Sequence, residues 1–181
     1  MNRYERIEVR FRDNLRRLPE YREYIFSQSA AIVRDLSYGE RGHIGTEGCG
    51  PVAIHNVMKF IGKTQNFCEV SREAEELRMT WLGARFGTKP HSLGRYFTRH
   101  KISYWKYNSP AEFKAKLLTH RIGIVCTWNP GMRGIHFYCI YYSYEENKYY
   151  TLNLMPAAED FVSLPLVTIV NRRFITGYLL K

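Results

Sequence analysis

Cysteine is sparse in this chain: 181 residues carry four (Cys49, Cys68, Cys126 and Cys139), and no two form a CxxC pair. No histidine cluster stands at metal-ligand spacing, so no metal or other cofactor is expected and the thiols should be free. Glutamine is nearly missing, with Gln28 and Gln65 alone. No apolar run approaches the roughly 20 residues that cross a bilayer. The opening MNRYERIEVRF mixes acids and bases and has no apolar h-region. Neither a membrane span nor a secretory signal is therefore expected, and the cytoplasm is the expected compartment. Internal repeats and low-complexity tracts are absent as well.

Acidic side chains are missing from one stretch in particular. Between Arg85 and Arg121 nine Lys and Arg residues accompany Glu112 alone, and most of the net +10 lies there. The first 41 residues, by contrast, set nine Arg against seven acids. A basic face at 85–121 suits an acidic partner: an acidic peptide, a nucleic acid or an anionic lipid. Phe86, Tyr96, Phe97, Tyr104, Trp105 and Tyr107 interleave the cations and offer rings to single-stranded bases. Against this, no recognised nucleic-acid motif is present, and a charged run is usually a solvated face.

What remains is an ordinary globular composition, with 45% hydrophobic and 24% charged residues. Residues up to about Leu36 read as two helical segments broken near Leu18-Pro19, an extension covering 1–40 ahead of a domain at 41–181. SYGERGHIGTEGCGP is a loop. Ile54, Val57, Met58 and Ile61 then fall at i, i+3, i+4 and i+7, a buried helix that Gly62 ends. A further helix is expected at about Glu69–Met79, a turn at Gly87-Thr88-Lys89-Pro90, a short helix to His100, and a helix that Ser109-Pro110 caps. Ile102–Tyr107, Ile122–Trp128, Ile135–Tyr142, Tyr149–Leu154 and Phe174–Leu180 read as strands, with turns at Asn129-Pro130-Gly131 and Glu145–Lys148. Helices first and an antiparallel sheet last is an α+β arrangement.

The chemistry centres on Gly48-Cys49-Gly50-Pro51, which runs straight into the buried helix. A helix N-terminus stabilises a thiolate, and its free N–H groups can hold the oxyanion of a tetrahedral intermediate. Gly48 and Gly50 allow a substrate carbonyl close, and Pro51 suits the first turn. The competing view of Cys49 is a small apolar residue at a helix start. His136 opens an apolar strand after a Gly-rich turn at Gly134, where it can face a cleft. Asn153 on the next strand can stand beside it and orient the imidazole. Gly134 and Trp128 at the same sheet end are candidate substrate contacts. His43, His55, His91, His100 and His120 lack this strand context and are expected to be surface or structural.

Glu47-Gly48-Cys49-Gly50-Pro51-Val52-Ala53, with Asn56 and Gly62, resembles the nucleophile segment of peptidases related to those that process bacteriocin leader peptides, within the papain-like cysteine peptidase superfamily. Gly87-Thr88 with Leu93 is similar to that family's middle segment, and Gly134-Ile135-His136-Phe137 to its histidine block. The resemblance spans roughly 43–156. It implies a papain-like fold, a peptide or protein substrate, and a triad of Cys49, His136 and Asn153, with Pro156 close to the last. Six residues before the cysteine the family has an oxyanion-donating Gln; here His43 fills the slot, and neither Gln28 nor Gln65 stands at that spacing. The resemblance thus implies an oxyanion hole of the Cys49 N–H and the His43 ring. Thiol hydrolysis of a peptide or amide bond is the leading expectation. A catalytically silent peptide-binding module, favoured by the missing Gln, an acyltransferase on the same machinery, and nucleic-acid binding through 85–121 stay open.

Overall fold

Helix α1 (Arg3–Arg17) begins with a reciprocal capping box between Asn2 and Glu5. The computed structural model describes residues 1–129, 134–171 and 173–181. Ile7 is the buried apolar contact of α1. Arg10 pairs with Glu75 beneath it, and the Arg72 guanidinium lies 4.5 Å from the Phe11 ring centre. The second expected helix is not formed: residues 18–36 run as turns and extended chain.

Tertiary hydrogen bonds explain that difference. The Asn56 amide takes both main-chain groups of Ile25, donating to its carbonyl at 2.8 Å and accepting from its N–H at 2.9 Å. The Asn66 amide donates to Pro19 O, and Phe67 N–H to Tyr21 O. Groups that a helix would have paired internally are satisfied from outside, so propensity is overruled. Leu18, Ile25, Val33 and Leu36 are buried in the same core cluster as the later elements, whereas Ile32 is 51% exposed. The expected 1–40 extension thus shares its core with 41–181.

Two short strands, β1 (Ser37–Tyr38) and β2 (Gly42–His43), pair as a hairpin ahead of the single turn α2 (Ile44–Glu47). The central element is α3 (Cys49–Phe60), buried from Cys49 through Met58. Gly62 ends it in the left-handed region at φ +76, with Lys63 N–H returning to Met58 O and Gly62 N–H to Lys59 O. Helix α4 (Phe67–Glu76) is capped by Asn66. Helix α5 (Gly94–Arg99) and strand β3 (Tyr104–Tyr107) follow, then α6 (Pro110–Leu117), with Ser109 as its N-cap.

The rest is β4 (Ile122–Asn129), β5 (Gly134–Ser143), β6 (Lys148–Leu152), β7 (Val162–Ser163), α7 (Leu166–Ile169) and β8 (Phe174–Leu180). Of the turn expected at Asn129-Pro130-Gly131, only Asn129 lies within the described residues. The strands join one antiparallel sheet in the order β3-β8-β4-β5-β6-β7. Both of its faces are covered. Ile122, Ile124, Cys126, Phe137 and Cys139 join the core around α3, while Val125, Tyr138, Ile140 and Leu179 pack with Phe113, Leu117 and Ile169. This two-residue alternation makes β4 and β5 apolar throughout. No helix of the described residues is long and apolar enough to cross a membrane.

The start of α3 is held tightly. A Cβ at Gly50 would stand 2.3 Å from Thr88 Oγ1, and Thr88 is itself bonded to the Tyr38 hydroxyl at 2.9 Å. A Gly→Ala change inside a helix is ordinarily stabilising. Here the sign reverses: Gly50→Ala is expected to cost about 2 kcal/mol through overpacking, read as a Tm several degrees lower in a thermal melt. An unchanged or raised Tm would contradict this packing.

Candidate active site

The fold brings the first residue of α3 to the beginning of β5. Cys49 is 4% exposed, and the main-chain N–H of Phe137, one residue beyond His136, is among the dipoles that act on its sulfur. The β4–β5 register is unbroken here, pairing Cys126 with Phe137 and Thr127 with His136, while β4 shifts register against β8 on its other side between Cys126 and Thr127. Burial pushes the Cys49 thiol up to about 11, with Glu47 adding to the rise, while the N–H groups of Phe137, Gly50 and Cys49 itself pull against it. The resting thiol is therefore protonated at neutral pH, contrary to the helix-start thiolate expected from sequence: desolvation outweighs the helix N-terminus.

His136 is 7% exposed and lies on a cavity of about 310 Å³ whose walls include Gln28, Gly45, Asn129 and Asn153. Burial lowers its pKa, opposed by a hydrogen bond from ring Nε2 to the main-chain carbonyl of Asn153. A carbonyl only accepts, so the proton of the neutral ring sits on Nε2 and the lone pair on Nδ1. Nδ1 is buried and has no hydrogen-bond partner among the described residues. Nor does any hydrogen bond join it to Cys49 there.

Asn153 orients the imidazole, but through its backbone rather than its amide. Its φ of +63 lies in the left-handed region, which Asn tolerates better than most residues. The side-chain amide is engaged elsewhere. It accepts from Gln28 N–H at 2.7 Å and donates to Phe137 O at 3.1 Å and to Gln28 Oε1 at 3.4 Å. Asn153 N–H, in turn, donates to Phe26 O. The segment 26–28 thus lies along Asn153 like an added strand and fixes the carbonyl that holds His136.

Gln28 is the residue that spacing along the chain misplaces. It stands beside His136 in the cavity, and its Nε2 donates to Gly45 O at 3.0 Å. The β1–β2 hairpin and α2 lie between it and Cys49 along the chain. The scarcity of glutamine was the signal available. His43 occupies the counted slot, but on β2 it alternates with buried Gly42 and points outward, exposed, away from the cavity lining.

Neither Gly48 nor Gly50 borders this cavity. A Cβ at Gly48 would meet Ile44 Cα at 2.6 Å, so close internal packing accounts for both glycines rather than access to substrate. Trp128 and Gly134 line a second, apolar cleft of about 280 Å³ with Trp81, Leu82, Phe86 and Ile135. Ile135 joins that cleft to His136 along the strand. The remaining histidines do other work. His55 is buried against Glu23 O, His100 pairs with Glu73, and His120 meets the Trp105 ring edge-on. Among the described residues no group of three His, Cys, Asp or Glu side chains is placed to hold a metal.

A helix-borne cysteine set against an antiparallel sheet that carries the histidine is the α+β, papain-like peptidase architecture. The particular likeness is to the crystal structure of the peptidase domain of Streptococcus ComA, a bifunctional ABC transporter involved in a quorum-sensing pathway. The TM-score is 0.55 at 17% identity, over 75% of this chain and 91% of that one. No family model and no curated protein matches the sequence.

Proposed function

We propose that the chain is a cysteine peptidase, or a closely related thiol amidohydrolase, that cleaves a peptide bond at Cys49. The observation that carries this reading is the ring tautomer of His136. Asn153 O holds the proton on Nε2, leaving a buried Nδ1, with no hydrogen-bond partner among the described residues, one residue from the Phe137 main-chain N–H whose dipole acts on the Cys49 sulfur. Nδ1 takes the thiol proton as sulfur attacks the substrate carbonyl. Catalytic hydrogen bonds often tighten only in the substrate complex, so a resting pair without one is compatible with catalysis. The Cys49 N–H and the Gln28 amide supply the oxyanion donors, Gln28 standing in for the exposed His43. The imidazolium then gives its proton to the departing amine, and water resolves the thioester.

Both partners rest neutral, so the proton moves during the step instead of before it. This supports a peptide substrate whose side chains occupy the Trp81–Trp128 cleft while its backbone crosses His136. The unbonded Cys49–His136 pair and the raised thiol pKa favour a second reading, a silent peptide-binding module on the same fold.

Labelling separates the two. With a peptidyl acyloxymethyl ketone and peptide mapping, Cys49 is expected to react at least ~10²-fold faster than Cys68, Cys126 and Cys139, because only an assembled site activates the reagent. With iodoacetamide, which reads the thiol alone, the Cys49 rate should climb about tenfold per pH unit above neutrality, towards a midpoint near 11, with no acidic plateau. Equal labelling of all four cysteines by the ketone sinks the peptidase in favour of the binding module.

A further inference from the structure

The basic stretch at 85–121 is not one face. In its first half the cations are engaged. Lys89 donates to Arg78 O, Arg95 to Leu77 O and Arg78 O, and Arg99 pairs with Glu73 and Glu76, all at the end of α4. The second half differs. Among the described residues, none of Lys101, Lys106, Lys114, Lys116 and Arg121 pairs with a carboxylate, nor do Lys63 and Lys181.

Three of these, Lys63, Lys101 and Lys181, converge on a cavity of about 300 Å³ with no acidic residue in its wall. Its flat surface is Trp105, 41% exposed on β3, the edge strand of the sheet. The Lys181 ammonium lies 5.7 Å from the indole centre, and His120 meets the ring edge-on. The Arg121 main-chain N–H bonds Leu180 O, beside Lys181, and its guanidinium lies 6.0 Å from the Phe60 ring centre. Beyond α6, Tyr144 is 72% exposed and bonded through its hydroxyl to Leu118 O, offering a second ring along the same side. This lining shares no residue with the cavity beside His136.

Cations without carboxylate partners repel one another, and the Lys181–Trp105 contact offsets that repulsion for only one of them. An anion with planar rings resolves the mismatch. Phosphates replace the missing carboxylates, and a base takes the indole face that Lys181 covers at rest. A purely acidic peptide answers the charge but offers no ring to stack on Trp105. We propose that this cavity and its rim bind single-stranded nucleic acid, with a base stacked on Trp105 and the backbone held by Lys63, Lys101, Lys181 and Arg121.

Fluorescence anisotropy on the full chain tests it, using a 5′-fluorescein oligothymidylate of about 12 nucleotides. Binding at low salt should weaken with a linear log–log dependence, and the slope should fall by about 0.7 for each cation removed in Lys101→Glu and Lys181→Glu. Trp105→Ala should weaken binding at least ~10-fold and Trp105→Phe restore most of it, since stacking needs a ring. Cys49→Ala should bind as the parent does, so the result is independent of the peptidase reading. No binding at low salt overturns the proposal. So does an affinity that Trp105→Ala leaves unchanged, or equal competition by polyglutamate, either of which marks a surface for acidic polypeptides.

Discussion

Replacing Cys49 by Ala, or His136 by Ala, should lower peptide cleavage at least ~10³-fold while the chain stays folded. Removing one member of a nucleophile–base pair disables the whole unit, so each single variant should lose nearly as much as the double. A ~10³-fold loss corresponds to about 4 kcal/mol of barrier. The structural costs are smaller. Cys49→Ala deletes one buried sulfur at the start of α3, about 1 kcal/mol. His136→Ala leaves the Asn153 carbonyl without its ring partner, about 1–3 kcal/mol. Cleavage of a mixture of synthetic peptides, followed by mass spectrometry at 20 °C or so below the melts, separates chemistry from unfolding. A His136→Ala protein that retains a tenth of the parent rate would remove the general base from the scheme. Non-additivity is the sharper readout: independent losses that multiply in the double variant mean that the two side chains do not act together.

The parts of the molecule governed by local pattern were legible in the sequence. Ile54, Val57 and Met58 mark α3 because one helix face must be apolar over its whole length, and Gly62 ends it for want of any other residue at ease with φ +76. Strands β4, β5 and β8 were found within a residue or two, since their burial on both faces forces apolar runs. Residues 18–36 were not legible. Their conformation is imposed by Asn56, Asn66 and Asn153, which lie up to 125 positions away and contribute hydrogen bonds that no local window contains. The strand β7 and the turn α7 were missed for a related reason: elements of two and four residues are too short to show a period.

Within the candidate site, the positions of Cys49 and His136 were readable because the first opens α3 and the second lies two residues into β5, and sequence marks both starts. Gln28 beside His136 was not: it precedes Cys49 by the whole β1–β2 hairpin and α2, whereas His43, at the counted spacing, is exposed on β2. The thiol pKa was misjudged because sequence shows the helix start, which lowers it, but not the depth of burial, which here is larger.

The largest remaining effect should come from Asn153, where the order of variants decides how the ring is held. If the side chain oriented His136, Asn153→Asp would preserve an acceptor and keep activity, while Asn153→Gly would lose it. The structure implies the reverse order. The ring bonds the main-chain carbonyl, which glycine retains at φ +63 without strain. Aspartate, by contrast, turns a carboxylate oxygen towards Phe137 O and Gln28 Oε1, where the amide now donates. Two acceptors facing a buried charge are costly, and a displacement of the carbonyl by an ångström or so is worth ~10²-fold in rate. Acylation by the peptidyl ketone should therefore fall ~10²-fold or more in Asn153→Asp, and within about tenfold in Asn153→Gly. Asn153→Ala should lie nearer the aspartate, because alanine at positive φ costs about 1–2 kcal/mol and pulls the carbonyl towards ordinary backbone geometry. Gln28→Ala should follow Asn153→Gly in rate if it serves only to clamp Asn153, and fall well below it if its amide also meets the oxyanion. An active aspartate variant beside a dead glycine variant returns the imidazole to side-chain control.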